Sequence, residues 1–313
     1  MQLGGFLFFI SAIAVGFFTA RFRVVSAEAE RVLPELLINV CYPALILSSF
    51  SRLDARAFAS GGLAVTLSTL AVTLGLYLAG ALLFRRAAPE RRPVLRFQMA
   101  IGNVTYVAIP LLSIFLGPGA VAVAVLHGSA QDVLIYSLYY ALFAGFRPGE
   151  GKAGLRRALL NPCILALAAA LLLKLTRLEL PAQLLPAIDG LGGMTTPLAL
   201  VYLGAMLHRH GFFRWLGNGA AVRYALYKTL LLPAGVALLL LPFAARQTAV
   251  LTGALFASPA PVASIVWARA YDCDAAYAVD AVVCSTLFYL VIMSAALFAL
   301  TRLGVLTPSA GVS

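Results

Sequence analysis

The sequence predicts an all-α membrane protein with ten transmembrane helices, arranged as two inverted five-helix repeats. Three observations carry this prediction: the composition, the number of long apolar runs, and a likeness between the two halves of the chain. Of the 313 residues, 62% are hydrophobic and only 11% are charged, whereas soluble domains contain about 25% charged residues. The composition therefore excludes a soluble protein and predicts a polytopic membrane protein.

The positive charge of the chain does not indicate nucleic-acid binding. The net charge is +11, but most Arg and Lys residues lie in short gaps between apolar runs, where such residues orient a membrane protein. The four cysteines are far apart and the three histidines form no ligand pattern, so neither a disulfide framework nor a metal site is predicted. We expect no cofactor and no nucleic-acid partner.

Ten apolar runs are long enough to cross a membrane, because a helix needs about 20 apolar residues to span ~30 Å of hydrocarbon. The first run is followed, not preceded, by the basic residues Arg21 and Arg23. This order is opposite to that of a signal peptide, and we interpret the run as a retained span. The predicted spans are 3–20, 32–50, 58–84, 94–116, 119–145, 158–175, 184–207, 220–242, 247–268 and 276–301.

The Arg and Lys residues are concentrated in or beside the first, third, fifth, seventh and ninth gaps between these spans. Since cytoplasmic loops carry the positive excess, the loop 146–157 is predicted to be cytoplasmic and both termini to lie outside. Arg also outnumbers Lys and Ala is abundant, which favours a bacterial source. We expect an integral, multi-pass protein of the bacterial inner (plasma) membrane, surrounded by the lipid bilayer.

The two halves of the chain resemble each other at an offset of about half the chain length. IGNVTYVAIPLL (101–112) aligns with FASPAPVASIVW (256–267), and CYPALIL (41–47) aligns with TTPLALV (195–201) one residue out of that register. Each half holds five predicted spans, an odd number, so the second half enters the membrane from the opposite side. The sequence thus predicts inverted repeats at 1–155 and 156–313, an arrangement typical of secondary transporters.

The aligned stretches of the fourth and ninth spans contain helix breakers among small polar residues. Pro110 lacks a backbone donor and its ring clashes with the carbonyl one turn earlier, and Gly102 adds backbone freedom. We therefore expect the fourth span to break within IGNVTYVAIP (101–110). Pro259 and Pro261 are expected to break the ninth span. Unwound backbone is tolerated at membrane depth only where it is buried in protein or lines a wet cavity. We therefore predict that the two breaks cross and form a binding site.

Half-helix N-termini at such a crossing present positive dipole ends, which favour an anionic group such as a carboxylate. Neutral side chains near the breaks would add hydrogen bonds to that group. The predicted substrate-binding residues are Asn103, Thr105, Tyr106, Pro110, Ser258, Pro259 and Pro261.

Two ionisable residues inside predicted spans are candidates for ion coupling or charge compensation, because an intramembrane charge is costly to bury. Asp132 lies near the middle of the fifth span, where it could bind a proton or Na⁺, or form a structural hydrogen bond. Lys228 either snorkels to the cytoplasmic face or provides a counter-charge for the substrate or for Asp132. Asp189 is expected to cap the seventh helix.

Taken together, these stretches resemble the auxin efflux carrier family, which includes the plant auxin exporters and many bacterial carriers. The resemblance covers nearly the whole chain. It rests on Asn103 followed seven residues later by Pro110 in GNVTYVAIPLL, and on ASPAPVASIVWARAYDCDAAYAVD (257–280). The stretches NVCYPALIL, NPCILA and DGLGGMTTPLALVYLGAML also fit.

The resemblance implies a fold like that of the sodium/bile-acid symporters, with spans 4 and 9 broken and crossing. It implies a scaffold of the spans at 3–50 and 158–207, through which a homodimer could form. A transport domain of the spans at 58–145 and 220–301 would move against it like an elevator. The implied substrates are small organic anions, such as malonate, malate or an auxin-like acid. The chain departs from plant members in its short central loop and in Gly102, where they carry Pro.

Four functions remain open at this point. The leading one is a proton-linked or facilitative carrier of a small organic anion. A Na⁺-coupled bile-acid-type symporter would need clustered Glu, Gln and Asn at the crossing. An intramembrane enzyme would need a catalytic motif such as HExxH or GxSxG, and the sequence has neither. A receptor would need a signalling domain, and the gaps between the spans are too short for one. The sequence therefore predicts a transporter, not an enzyme.

Overall fold

The structure of the chain is a computed structural model. It describes residues 2–24, 26, 29–52, 62–139, 142, 160, 162–176, 178–210 and 217–306. The predicted cytoplasmic loop 146–157 and the boundary between the predicted repeats lie outside the described residues, and so do parts of the spans at 58–84, 119–145 and 158–175.

The described residues form helices and connecting turns, and none of them is in a β-strand. This agrees with the predicted all-α class. The helices are Gln2–Arg21, Ala29–Leu36, Tyr42–Arg52, Leu63–Leu83, Arg92–Ala100, Ile109–Phe115, Pro118–Leu134, Pro162–Thr176, Leu185–Gly193, Thr195–His210, Gly219–Leu226, Leu232–Leu240, Arg246–Phe256, Ala263–Ala270 and Ala275–Arg302. Wider π-helical turns occur at Leu37–Cys41, Val104–Ala108, Ile135–Tyr139 and Tyr227–Leu231.

Four continuous helical stretches within the described residues are long and apolar enough to cross a membrane, namely Leu63–Leu83, Leu185–Arg209, Gly219–Leu240 and Ala275–Arg302. A fifth is obtained if the bent pair Arg92–Ala100 and Val104–Phe115 counts as one span. Other apolar helices, such as Pro162–Leu173, are shorter. The structure thus supports a multi-pass membrane protein, while the count of ten spans stays a prediction.

The distribution of apolar and polar side chains is that of a protein surrounded by lipid. Val291 is 72% exposed and Leu231 is 69% exposed, yet Lys228 is fully buried. A soluble protein would rarely expose so many large apolar side chains while burying an amine. The exposed apolar side chains give the helices a lipid-compatible surface.

Prolines account for three of the π-helical turns named above. Pro43, Pro110 and Pro233 each lie two residues after the end of such a turn. A helical proline lacks an N–H and its ring presses on the carbonyl four residues earlier. In each case that carbonyl belongs to the middle residue of the π-helical turn, so widening the turn relieves the clash. The proline therefore bulges the helix without ending it.

The first helix and the helix Thr195–His210 pack with their backbones almost in contact. A methyl group on Gly16 would lie 2.0 Å from the Val201 carbonyl oxygen, and one on Gly204 would lie 2.0 Å from the Ile13 carbonyl oxygen. Only glycine permits such an approach, which is a common way to join helices in membranes. These two helices belong to the predicted scaffold, whose existence as a separate domain stays a prediction.

Candidate functional site

The first broken segment, residues 92–115, is interrupted at residues 101–103. Its two helical parts meet at an angle of 44°. Ile101 is extended, with φ −92° and ψ 144°, and Asn103 has the non-helical angles φ −82° and ψ 67°. The break predicted within the stretch 101–110 is confirmed: the chain opens at 101–103, around Gly102, but Pro110 does not interrupt the helix as expected. Ile109, before that proline, is helical, with φ −57° and ψ −51°.

The second broken segment, residues 246–270, is interrupted by the run Ala257–Pro261, as its two prolines predict. The Ser258 hydroxyl donates to the Leu255 carbonyl at the end of the preceding helix. The backbone N–H of Ala260 donates to the Ser285 hydroxyl oxygen at 2.9 Å. Ser258, Pro259 and Pro261 are all buried. Protein groups thus satisfy part of the unwound backbone.

The two interruptions lie directly against each other. The backbone N–H of Asn103 donates to the Pro259 carbonyl oxygen at 2.8 Å. A methyl group on Gly102 would lie 2.6 Å from Cβ of Ser258 and 3.2 Å from its carbonyl oxygen. Glycine at position 102 is therefore required by the close approach of the two chains. The two interrupted segments therefore meet at residues 102–103 and 258–259, a place called the crossing below, while their arrangement as the crossing spans of an inverted repeat stays a prediction.

Two side chains from other helices occupy the carboxyl end of the helix Arg92–Ala100. The Lys228 ammonium donates to the carbonyl oxygens of Ile101 at 3.1 Å and Met99 at 3.4 Å. The Gln131 amide donates to the Ala100 carbonyl at 3.2 Å and accepts from the Gly102 N–H at 3.3 Å. A helix carboxyl end carries partial negative charge, so the lysine cation is placed where that charge stabilises it.

This placement corrects the snorkelling interpretation of Lys228. Its side chain is fully buried and is held by backbone carbonyls at the first break, instead of reaching a polar edge. Lys228 and Asp132, both described residues, form no ion pair with each other. The structure brings Lys228 to the crossing, and the idea of a Lys228–Asp132 charge pair is not supported.

The Asn103 side chain is buried next to the crossing, with 5% of its surface exposed. Its amide nitrogen Nδ2 has no hydrogen-bond partner among the described residues. A buried amide donor without a partner is uncommon in folded proteins. Asn103 therefore presents a free donor at the point where the two broken segments meet.

The other predicted residues of the fourth span lie along the half-helix that follows the break. Thr105 is half-buried, and Tyr106 is buried with its ring centroid 5.6 Å from that of Tyr202. Tyr202 belongs to the helix Thr195–His210, so Tyr106 joins the first broken segment to the predicted scaffold. Pro110 is buried further along the half-helix.

Asp132 lies on the helix Pro118–Leu134, directly after Gln131, and among the described residues it forms no ion pair with Lys228. It is half-buried and close enough to the Tyr42 hydroxyl and the Cys163 thiol to act on both electrostatically. Among the described residues, no group of three His, Cys, Asp or Glu side chains could hold a metal ion. Asp132 thus lies near Tyr42 of the predicted second span and Cys163 of the predicted sixth span.

Sequence reasoning missed the amide and hydroxyl network around the first break. Gln131 and Tyr224 bond backbone groups of residues 98–102, Tyr224 by donating its hydroxyl to the Gln98 carbonyl at 2.9 Å. The side-chain amide of Gln98 donates instead to Ser264 Oγ in the second broken segment, at 2.9 Å. The available signal was a buried amide inside an apolar run, which rarely lacks a structural or functional reason.

Three further polar residues have structural partners. Asp189 accepts from the Ser48 hydroxyl at 2.6 Å and lies inside the helix Leu185–Gly193, so its predicted role as a helix cap is wrong. Asp280 accepts from the Asn218 amide at 2.8 Å. His127 is buried, with Nδ1 2.9 Å from the Thr69 hydroxyl and its ring against Phe256.

A family model described as "Membrane transport protein", that of the auxin efflux carriers, matches residues 4–297 of the chain. The chain belongs to the auxin efflux carrier family. The match spans nearly the whole sequence and includes both broken segments, so the crossing lies within the part shared with other carriers. It also supports a transporter over an enzyme. A comparison with curated proteins finds no individual match.

Proposed function

We propose that this family member is a secondary transporter for a small organic anion, proton-linked or facilitative, working by an elevator-type alternating-access movement. One observation carries the proposal: a buried amide donor at Asn103, with no partner in the described part of the chain, lies where two interrupted helices are joined by the Asn103–Pro259 backbone bond. Interrupted helices that meet in this way are the usual substrate site of secondary transporters. A donor without a partner suits a carboxylate, which accepts hydrogen bonds only.

The proposed architecture follows the prediction from the sequence. Ten spans form two inverted repeats, with both termini outside the bacterial inner membrane. The spans at 3–50 and 158–207 form a scaffold and a homodimer contact, and the remaining spans carry the site. The Tyr106–Tyr202 contact then lies between the moving part and the scaffold, where alternating access requires a surface that can slide.

Lys228 supports coupling without Na⁺. In secondary transporters, unwound carbonyls and half-helix carboxyl ends commonly coordinate the coupling cation. Here the Lys228 ammonium already bonds the carbonyls of Met99 and Ile101. A fixed cation on these carbonyls favours proton-linked or facilitative transport over a Na⁺-coupled bile-acid-type mechanism.

The proposal is tested by ligand-induced thermal stabilisation of the purified protein. A panel of short carboxylates and indole acids is measured with and without Na⁺ and at two pH values. We expect at least one anion to raise the melting temperature, independently of Na⁺, and Asn103→Ala to abolish that rise without unfolding the protein. Stabilisation by uncharged or cationic solutes alone would contradict the proposal, and a strict Na⁺ requirement would favour the symporter.

Asp132 is the proposed proton site. In proteoliposomes, Asp132→Asn is expected to flatten the pH dependence of uptake, because an amide cannot take up or release the coupled proton. Asp280→Asn is the matched control, since Asp280 is also a half-buried carboxylate but is bonded to Asn218. An unchanged pH profile in Asp132→Asn would show that Asp132 does not carry the coupled proton and has a structural role instead.

A further inference from the structure

Two arginines lie one helical turn apart at the start of the first broken segment. Arg92 begins the helix Arg92–Ala100 and Arg96 follows four residues later, so their side chains leave the same face of that helix. Nη2 of Arg92 donates to the Ala87 carbonyl oxygen at 3.1 Å. Nη2 of Arg96 donates to the Tyr77 carbonyl oxygen at 3.3 Å. Each guanidinium is thus held by a backbone carbonyl outside its own helix.

The Arg96 side chain lies across the neighbouring helix Leu63–Leu83. Its guanidinium carbon is 4.5 Å from the centroid of the Tyr77 ring, a distance typical of a cation–π contact. A methyl group on Gly80 would lie 3.2 Å from Cγ of Arg96, so the aliphatic part of the side chain passes close to bare backbone there. These contacts fix the guanidinium between the two helices.

No acidic side chain in the described part of the chain pairs with these two arginines. The neighbouring Arg91 is 2.7 Å from a carboxylate oxygen of Asp274, whereas neither Arg92 nor Arg96 forms an ion pair with a described residue. Nε of Arg92 and Nε of Arg96 are buried and have no hydrogen-bond partner among those residues. A cation that is partly withdrawn from water is costly without an opposite charge. Arg92 and Arg96 are therefore suited to binding an external anion.

The neighbouring helix also carries exposed apolar side chains, the kind of surface that lipid covers. Leu82 is 71% exposed and Leu78 is 59% exposed, and the helix ends at Leu83. The Tyr77 carbonyl, to which Arg96 donates, lies about 9 Å before that end at 1.5 Å per residue. An anion bound by Arg96 would thus lie beside apolar side chains, which favours an anion with its own acyl chains over a small soluble one.

We propose that Arg92 and Arg96 bind the phosphate of an anionic phospholipid, whose acyl chains lie along the exposed leucines of the helix Leu63–Leu83. Arginine suits this role because its planar fork matches two phosphate oxygens at once. Basic sites between membrane helices bind lipid headgroups in this way. The bound lipid stabilises the half-helix that leads to Asn103, seven residues beyond Arg96. The proposal does not depend on which solute the carrier transports.

The test measures the thermal stability of the purified protein in mixed micelles of detergent and phospholipid. Phosphatidylglycerol and phosphatidylcholine are titrated separately at about 0.15 M salt, where exposed charges are screened beyond about 8 Å. We expect phosphatidylglycerol to raise the melting temperature of the wild type, and phosphatidylcholine to raise it far less. Arg92→Gln/Arg96→Gln should need about tenfold more phosphatidylglycerol for the same rise, because it loses charge-assisted hydrogen bonds to the phosphate.

Arg85→Gln/Arg86→Gln is the matched control. It removes the same charge from the preceding turn, where both side chains are exposed, and it should keep the wild-type lipid titration. Because Arg96 also packs on the neighbouring helix, Arg92→Gln alone is the second variant. Its lost bond is to the Ala87 carbonyl in a loop, so it should fold like the wild type and still bind phosphatidylglycerol less tightly.

Three results would overturn the proposal. Equal stabilisation by the two lipids would show that no anionic headgroup is bound. An equal loss in Arg85→Gln/Arg86→Gln would show attraction by diffuse surface charge instead of a site. Inorganic phosphate is titrated as a separate arm without added lipid. If it stabilises the wild type as strongly as phosphatidylglycerol does, and Arg92→Gln/Arg96→Gln abolishes that effect, the ligand is a soluble phosphate group and not a lipid.

Discussion

The Lys228 ammonium donates a hydrogen bond to the Ile101 carbonyl oxygen at 3.1 Å, at the residue where the first broken segment leaves helical geometry. The same nitrogen lies 3.4 Å from the Met99 carbonyl oxygen. The side chain of Lys228, from the predicted eighth span, thus donates hydrogen bonds to two carbonyls that have no donor within the broken helix. The carbonyls freed at the break thus obtain from Lys228 both hydrogen-bond donors and a positive charge opposite the carboxyl end of the helix.

Lys228→Met is expected to destabilise the protein and to abolish transport. The substitution keeps the length and apolar stem of the side chain but leaves the Met99 and Ile101 carbonyls unpaired, at a cost of about 1–3 kcal/mol. The measurement is the melting temperature in detergent, together with uptake by proteoliposomes. Arg86→Met, which removes an exposed cation, is the control and should change neither. Equal melting temperatures for the two variants would show that the Lys228 bonds contribute nothing to stability.

Gly102→Ala is expected to force the two broken segments apart. Its methyl group would meet Cβ of Ser258 at 2.6 Å, which also strains the Asn103–Pro259 backbone bond. The melting temperature should fall, and anion-induced stabilisation should be lost. Gly75→Ala is the control, because nothing lies within 4 Å of the added methyl group there, and alanine favours a helix over glycine.

Adding Ser258→Gly to Gly102→Ala provides a direct check of this explanation. The double variant removes the atom with which the new methyl group collides, so part of the lost stability should return. A double variant that is less stable than Gly102→Ala alone would contradict a steric cause.

Asp274 is expected to contribute more to stability than Arg91, although the two form one salt bridge of 2.7 Å. The Asp274 carboxylate also accepts from the Tyr277 N–H at 2.9 Å, capping the last helix. Asp274→Ala should cost about 1 kcal/mol for the cap in addition to the bridge. Arg91→Ala leaves the cap in place and should cost the bridge, about 0–1 kcal/mol at a partly exposed site, together with the exposed contact of its guanidinium with the Tyr277 ring. Asp274→Asn, which keeps a capping oxygen but loses the ion pair, should unfold at a higher temperature than Asp274→Ala.

The sequence by itself predicted the class, the family and the two interrupted segments. Composition and run length identify a membrane protein because the bilayer demands long apolar stretches whatever their packing. Pro259 and Pro261 located the second break correctly, since two prolines within three residues cannot be accommodated in a helix. Asn103 was recognised because an amide in an apolar run has few purely local explanations.

The exact place of the first break was decided by tertiary contacts. Pro110 alone is accommodated by widening one turn at Val104–Ala108, and the chain opens instead at residues 101–103, where Gln131 and Lys228 supply partners for the freed backbone. Those partners come from distant parts of the chain, and local pattern carries no information about them.

The roles of single charged residues also required the tertiary structure. The position of Lys228 along its helix was compatible with snorkelling, and Asp189 was compatible with capping, because both ideas use only local spacing. In the structure, Lys228 donates to carbonyls of the first broken segment. Asp189 accepts a hydrogen bond from Ser48 in the predicted second span. The sequence thus determined that the chain is a membrane carrier with two broken helices. Only the packing of distant segments determined which side chains satisfy them, because a buried polar group is placed by its partner and not by its neighbours in sequence.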